Sequence, residues 1–506
     1  MNIFAICAVE ERNDVTKAAK AHFGTDNVKF ITDGNQLSGK GQIVISHALV
    51  PQMKACQMAD ADRLNLYDSG RIVSVSYEVD LIHLLDKAIS GKNWKMAKGI
   101  NDLLIDINFL RRKSVLSSMP HYLQIETTSF CNAKCIMCSH YFSENRGASY
   151  LGDATLGNLE DAIRLSRTIS LNGMGEPFIS RKVSDQIDHY ASFGNRIVTN
   201  TNLSLLNDRL LDQINAHFDW LEVSCDGATR ETYESIRNGL HFDIFLKNLR
   251  TLKERCPNVR KHIATVIMRQ NVHEMPLMVE LASQAGASVI TFMSLNSNII
   301  IRNQQDEMCH YPKVLEYYSA QALKVGERCH IPVIVPNMDS LNTDITFEEI
   351  EDELHLMKQI ELYKNPQEME RMKKTADIVA TYLETHDEIQ RDTKASKVRC
   401  RGVCDWLLSQ SYIDLQGNVA MCCRNQSFHA GNVNESGSFF AVWNSSFYQK
   451  LRSIFYSGYV PESCLKCGLI ESGNLKYLDV DINEEFYSEA KFKEKQRETL
   501  KRLIGE

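Results

Sequence analysis

The chain has 506 residues, enough for several domains that each bury a core. Hydrophobic residues make up 43% and charged residues 24%, the balance of a soluble globular protein, and a net charge of −7 argues against broad nucleic-acid binding. The N-terminal MNIFAICAVEERN lacks the basic flank of a signal peptide and no apolar run approaches membrane-spanning length, so a cytoplasmic chain is expected, its fifteen cysteines serving as metal ligands and buried thiols rather than disulfides.

Residues 1–75 alternate strand and helix. Strands are expected over Asn2–Val9, Val28–Thr32 and Gln42–Ser46, and helices over Asp14–Phe23 and Pro51–Ala61. This predicts a small α/β domain. Gly34, Gly39 and Gly41 are too scattered for a phosphate loop, and the role of the domain is not legible. Residues 76–117 form a helical bridge, with Leu81, Leu84, Leu85 and Ala88, then Met96, Ile100, Leu103, Leu104 and Ile107, at helical spacing.

Residues 118–300 repeat a strand-then-helix unit. The strands are Tyr122–Thr127, Thr168–Asn172, Arg196–Asn200, Trp220–Ser224, Ile263–Met268 and Val289–Met293. Helices between them include Leu159–Ser166, Val183–Phe193, Phe242–Arg255 and Glu274–Ala285. Alternating βα units give a parallel sheet with right-handed crossovers, and six are too few to close an eight-stranded barrel. In such architectures the chemistry sits at the C-terminal strand ends. Residues 301–395 leave this pattern: a helix over Tyr311–Cys329, a strand over Pro332–Val335, then charged helices over Phe347–Leu362 and Gln367–His386. Residues 396–475 hold a second group of cysteines, and residues 476–506 form a helical tail.

The first strand runs into QIETTSFCNAKCIMCSH, where Cys131, Cys135 and Cys138 stand in the spacing C-x3-C-x2-C. Three soft thiolates can hold three irons of a [4Fe–4S] cluster and leave the fourth open. A zinc site completed by His140, or three structural thiols, is the alternative from spacing alone. With Asn132 behind the first cysteine and a strand before it, the stretch resembles the signature of the radical S-adenosylmethionine (SAM) enzymes. In that family SAM chelates the open iron and is cleaved to methionine and a 5′-deoxyadenosyl radical that abstracts hydrogen from substrate. The fold implied is a partial (β/α)6 barrel. One departure is Met137, where the family usually has an aromatic residue; its thioether can pack on adenine.

Further features resemble the same family. Gly173-Met174-Gly175-Glu176-Pro177 follows the second strand and resembles its "GGE" motif, implying cofactor contacts from Met174, Gly175 and Glu176. Ser224-Cys225-Asp226-Gly227 ends the fourth strand and resembles its "S-x-D-G" stretch. There the serine, and often a later arginine, meet SAM, which implies Ser224 and Arg237 here. Asn271, after the fifth strand, is a candidate for the SAM ribose or adenine. Asn202, Asp226 and Asn296 are candidates for the substrate pocket.

In the C-terminal group, Ser411–Leu415 and Asn418–Met421 read as a hairpin about Gly417 that brings Cys404 and Cys422 together. Cys464 and Cys467 form a C-x2-C downstream. A zinc ribbon is one reading. Behind a radical SAM motif, the set resembles the SPASM or twitch region, implying one auxiliary [4Fe–4S] cluster held by Cys404, Cys422, Cys464 and Cys467. Cys400 could replace Cys404, and Cys423 could replace Cys422.

A closed auxiliary cluster suits electron transfer. The resemblance therefore implies a radical SAM oxidoreductase that dehydrogenates a small hydroxylated sugar or cyclitol. The rival is a maturase acting on a precursor peptide, and a non-catalytic iron–sulfur or zinc scaffold is the third reading. An electron donor such as flavodoxin or ferredoxin is implied; neither membrane nor nucleic acid is expected as a partner.

Overall fold

The computed structural model describes residues 3–6, 12–23, 27–30, 42–46, 63–68, 71–75, 78–110, 112–138, 149–295, 306–336, 338–359, 395–399, 403–423, 429–465 and 467. The expected helices Pro51–Ala61 and Gln367–His386, the C-terminal tail, His140, Asn296 and Cys400 lie outside them.

The N-terminal strands are β1 (Ile3–Ile6), β2 (Val28–Phe30), β3 (Gln42–Ser46), β4 (Arg63–Asp68) and β5 (Arg71–Val75), with a helix over Arg12–Phe23. They form one sheet in the order β2-β1-β3-β4-β5, parallel except for the β4–β5 pair. The strands β4 and β5 were not expected from the sequence. The bridge is two helices, Glu78–Ser90 and Trp94–Leu110.

The central body carries β6 (Tyr122–Ile125), β7 (Thr168–Ser170), β8 (Arg196–Thr201), β9 (Phe218–Ser224), β10 (Arg260–Ile267), β11 (Val289–Ser294) and β12 (Val333–Ile334), all parallel neighbours in that order. All six expected barrel strands are present. Val333–Ile334 adds a seventh to the same sheet, so the segment expected as a helical insertion begins inside the barrel. It gets there through the helix Pro312–Cys329, which ends at His330 in a left-handed conformation (φ 55°) and turns the chain back onto β11.

The helices form because one face is apolar. Phe242–Arg255 buries Phe242, Phe245, Leu249 and Leu252 at helical intervals. Asp208–His217 buries Leu210, Leu211 and Ile214, and the Asn207 side chain caps it by accepting from the Leu210 amide. On β9, fully buried Leu221 and Val223 alternate with half-buried Trp220, Glu222 and Ser224. The first set joins the core under the helices and the second faces the barrel interior.

The C-terminal strands are β13 (Ala395–Arg399), β14 (Gln410–Ile413), β15 (Asn418–Ala420), β16 (His429–Asn432) and β17 (Tyr459–Pro461). The expected hairpin is β14–β15, with Gly417 at φ 84° in its turn. β14 also pairs in parallel with β6, Gln410 opposite Tyr122 through Ile413 opposite Ile125, so barrel and C-terminal domain share one ten-stranded sheet. Side chains pin the same junction. Trp443 Nε1 donates to Ser118 O, Asn444 exchanges two hydrogen bonds with the Leu116 backbone, and buried Arg452 donates to Leu407 O and Ser114 O. No described helix is long and apolar enough to cross a membrane.

Candidate active site

Cys131, Cys135 and Cys138 lie on the loop beyond β6, Cys135 buried and the other two half-buried. A turn closed by Cys138 N to Cys135 O (3.0 Å) sets the spacing of the last two. Burial pushes the Cys131 thiol up to about 11 and the Cys135 thiol up to about 12, so a metal must displace protons to bind here. Met137 is buried beside them in the core.

The Gly173–Pro177 segment packs directly on this loop. Glu176 N donates to Phe130 O at 2.7 Å, and a Cβ on Gly175 would lie 2.4 Å from both Phe130 O and Thr128 O. Met174 and Gly175 are half-buried, and Met174 N donates to Glu126 Oε1 at 2.6 Å. Glu176 is turned inward. Its carboxylate accepts from Thr201 Oγ1 (2.7 Å), Asn202 N (2.7 Å) and Phe178 N (3.2 Å). Burial raises its pKa, and those hydrogen bonds work against the rise. Asn202 in turn donates through Nδ2 to Asn132 Oδ1 at 3.0 Å, next to Cys131. Glu176 and Asn202, expected at cofactor and substrate, therefore act as struts between the second strand end, the third strand end and the cysteine loop.

Two more of the expected site residues are tied into the framework in the same way. Asn271 is fully buried; its Nδ2 donates to Asp226 O (3.0 Å) and Val266 O (2.9 Å), and its Oδ1 accepts from Met268 N (2.8 Å). These hydrogen bonds clamp the ends of β9 and β10 together. Asp226 is fully buried and ion-paired with Arg237 at 2.7 Å. Ser224 remains half-buried at the end of β9, on the interior face.

The interior face carries residues that the sequence did not single out. Register places Glu222 beside His262 and Asn200, and Ser224 beside Ala264, which in turn pairs with Thr291. His262 Nδ1 lies 3.3 Å from Glu222 Oε2, its Nε2 lies 2.7 Å from Thr291 Oγ1, and Trp220 meets the ring edge-on at 6.4 Å. Burial raises the pKa of Glu222 and lowers that of His262. Asn172, Asn200 and Thr199 form a hydrogen-bonded chain on the neighbouring strands. The strand alternation was the available signal: polar residues two apart on β9 had to share a face.

In the C-terminal domain Cys404, Cys422, Cys464 and Cys467 are half-buried, with Cys467 N to Cys464 O (3.0 Å) closing a turn like that of the first site. Burial raises the Cys404 thiol, followed by the nearby Cys422 and Cys464. Cys423 is also half-buried and influences Tyr122, on the barrel's first strand. Among the described residues, no three His, Cys, Asp or Glu side chains stand close enough to close around one metal ion.

The sequence profile of the Radical SAM superfamily matches residues 125–282, and that of the iron-sulfur cluster-binding domain SPASM matches residues 404–468. Residues 125–282 thus carry a radical SAM domain and residues 404–468 a SPASM domain. These two domains imply SAM and a [4Fe–4S] cluster in the barrel and an auxiliary [4Fe–4S] cluster in the SPASM domain. It is 27% identical over 173 residues to the mycofactocin maturase MftC of Mycobacterium tuberculosis, covering 34% of this chain and 44% of that one. It is 32% identical over 97 residues to the tungsten-containing aldehyde ferredoxin oxidoreductase cofactor-modifying protein of Pyrococcus furiosus, covering 18% and 27%. The chain thus spans less than half the length of these curated relatives. Among solved structures, SuiB of Streptococcus suis bound to precursor peptide SuiA superposes with TM-score 0.45 at 15% identity, over 71% of this chain and 72% of that one. The enzyme anSMEcpe with bound AdoMet superposes with TM-score 0.45 at 14% identity, over 69% and 84%.

Proposed function

We propose that this radical SAM enzyme is a maturase that modifies a precursor peptide, and not the sugar or cyclitol dehydrogenase that the sequence first suggested. Two observations support the peptide. One is the similarity to a maturase over 173 residues. The other, which carries the reading, is the open edge of the barrel interior. Met293 and Ile334 follow the interior register of His262 and Thr291, yet they are 41% and 47% exposed. A pocket closed around a small polyol would cover them; an extended chain of amino acids can lie along them.

Cys131, Cys135 and Cys138 are the proposed ligands of the cluster that cleaves SAM, and Cys404, Cys422, Cys464 and Cys467 those of the auxiliary cluster. Bound there, a cluster with one open iron supplies the electron that splits SAM into methionine and a 5′-deoxyadenosyl radical. The chain's own residues do the rest. Gly175 lets the SAM-side backbone lie against the cysteine loop. Ser224 offers a hydroxyl at the strand end. Glu222 and His262 sit two residues down the strand, about 6.6 Å deeper, where they can hold a polar group of the substrate. An external one-electron donor, a flavodoxin or ferredoxin, completes the cycle.

The test uses anaerobically reconstituted protein with SAM and dithionite, offered short peptides encoded beside its gene and, separately, a panel of sugars and cyclitols. A peptide of altered mass with one 5′-deoxyadenosine formed per product supports the reading. An oxidised polyol two hydrogens lighter, with every peptide unchanged, overturns it.

A further inference from the structure

Arg237 is placed by the backbone against the cysteine loop. It follows the helix Arg230–Ile236, and the residues either side of it hold the loop: Ile136 N donates to Ile236 O at 3.0 Å and Lys134 N to Asn238 O at 2.7 Å. Gly239, at φ 90°, lets the segment turn away; a Cβ there would meet Asn132 O at 3.1 Å. The side chain is 8% exposed. Its Nη2 lies 2.7 Å from Asp226 Oδ2 and its Nη1 donates to Cys135 Sγ at 3.9 Å. Among the described residues its Nε finds no partner. Asp226 is itself anchored, Oδ1 accepting from Val266 N at 2.8 Å and its backbone O from Asn271 at 3.0 Å.

We infer that Arg237 is the fixed counter-charge of the cluster held by Cys131, Cys135 and Cys138, set by Asp226 as positioning residue, and not a ligand of SAM. The inference rests on the reading that these three cysteines hold the cluster. A forked grip on the SAM carboxylate needs two parallel N–H groups. Its Nη2 is held by Asp226 and its Nη1 is turned to Cys135, and swinging the guanidinium round to SAM would strand the buried Asp226. The ion pair turns its positive end to a cluster sulfur. Reduction adds a negative charge there, so a nearby cation favours the reduced cluster and raises its potential.

The two partners therefore shift the potential in opposite directions. EPR-monitored redox titration is carried out in protein whose Cys464 and Cys467 are alanine, leaving one cluster to observe, with SAM affinity measured by equilibrium dialysis. Asp226→Asn leaves the cation uncompensated and makes reduction easier. Asp226→Asn with Arg237→Gln keeps a neutral hydrogen-bonding pair without the charge separation. It makes reduction at least tenfold harder, 59 mV for a one-electron couple, with the SAM dissociation constant within threefold of the parent. Unmoved potentials, shifts of the same sign in both variants, or a tenfold loss of SAM affinity without a shift overturn the inference. A parent protein that binds no cluster at Cys131, Cys135 and Cys138 overturns the cysteine assignment as well, and its iron content reveals that before any variant is compared.

Discussion

Glu176→Gln tests the strut beneath the cysteine loop. In the wild type, one carboxylate oxygen accepts from Thr201 Oγ1 and Phe178 N and the other from Asn202 N. Phe178 N and Asn202 N can only donate, so each carboxylate oxygen faces an obligate donor. A glutamine in either orientation sets an N–H₂ against a donor. Losing one hydrogen bond to a buried charge costs about 1.5–3 kcal/mol, and a facing pair of unsatisfied donors adds to it. A total of about 3 kcal/mol is roughly a hundredfold in a local opening equilibrium. Amide hydrogen exchange reads this directly. Protection of Asn202 should fall about a hundredfold, while Met174, whose amide is held by Glu126, keeps its rate. Through Asn202 and Asn132 the loosening reaches Cys131, so reconstituted iron at the first site should fall as well. A change below threefold at Asn202 would falsify the strut.

Replacing Cys131, Cys135 and Cys138 together with alanine should abolish 5′-deoxyadenosine formation under dithionite, while iron analysis still finds one cluster, about four irons, in the SPASM domain. Gly175→Ala drives a Cβ into Phe130 O and Thr128 O at 2.4 Å; displacement of the cysteine loop should destabilise the barrel by about 1–3 kcal/mol and lower iron incorporation, measured by thermal unfolding and iron assay. Glu222→Gln should lower product formation at least tenfold while SAM cleavage continues, because the change lies in the barrel interior away from the thiols; mass spectrometry of both products separates the two. Lys98 is buried with no partner for Nζ among the described residues, and burial, then Arg167, lowers its pKa to about 7. The unfolded chain keeps that proton up to about 10.5, so wild-type stability rises with pH between about 7 and 10.5. Lys98→Met should raise the melting temperature most at pH 6, with the gain shrinking toward pH 10.

Local signals were legible in the sequence, and relations between distant residues were not. The six strands from Tyr122 to Met293 are short apolar or β-branched runs, so the barrel was legible in the sequence, and the cysteines stand out by their spacing as candidate cluster ligands. Glu176, Asn202 and Asn271 were assigned outward because polar residues at strand ends usually face a ligand. Which way each turns depends on a partner 2 to 70 residues away, such as Phe178 N for Glu176 or Asn132 Oδ1 for Asn202, and no periodicity encodes that. Arg237 is the sharper case. Its guanidinium is anion-seeking; the anion it finds within the chain is Asp226, and its Nη1 reaches a thiol. The dyad of Glu222 and His262 was missed because each residue alone is ordinary; only the β9–β10 register brings them together.

The register across β6 has a functional consequence too. β6 lies between β7, which leads into the Gly173–Pro177 segment, and β14, which leads into the SPASM hairpin. Glu126, just past the end of β6 and almost fully buried, accepts from Met174 N with one oxygen and from Leu415 N with the other, at 2.6 Å and 3.3 Å. A Cβ on Gly173 would strike that side chain at 2.2 Å, so glycine there is what lets the carboxylate sit between the two. One carboxylate thus ties the segment beside the first cluster to the turn between Cys404 and Cys422. Backbone pairing in a sheet allows little relative sliding, since a one-residue slip would turn every buried side chain to the wrong face. The separation of the two cysteine sets is therefore a property of a continuous sheet and not of a linker, and the SPASM domain is built as a wall of the barrel.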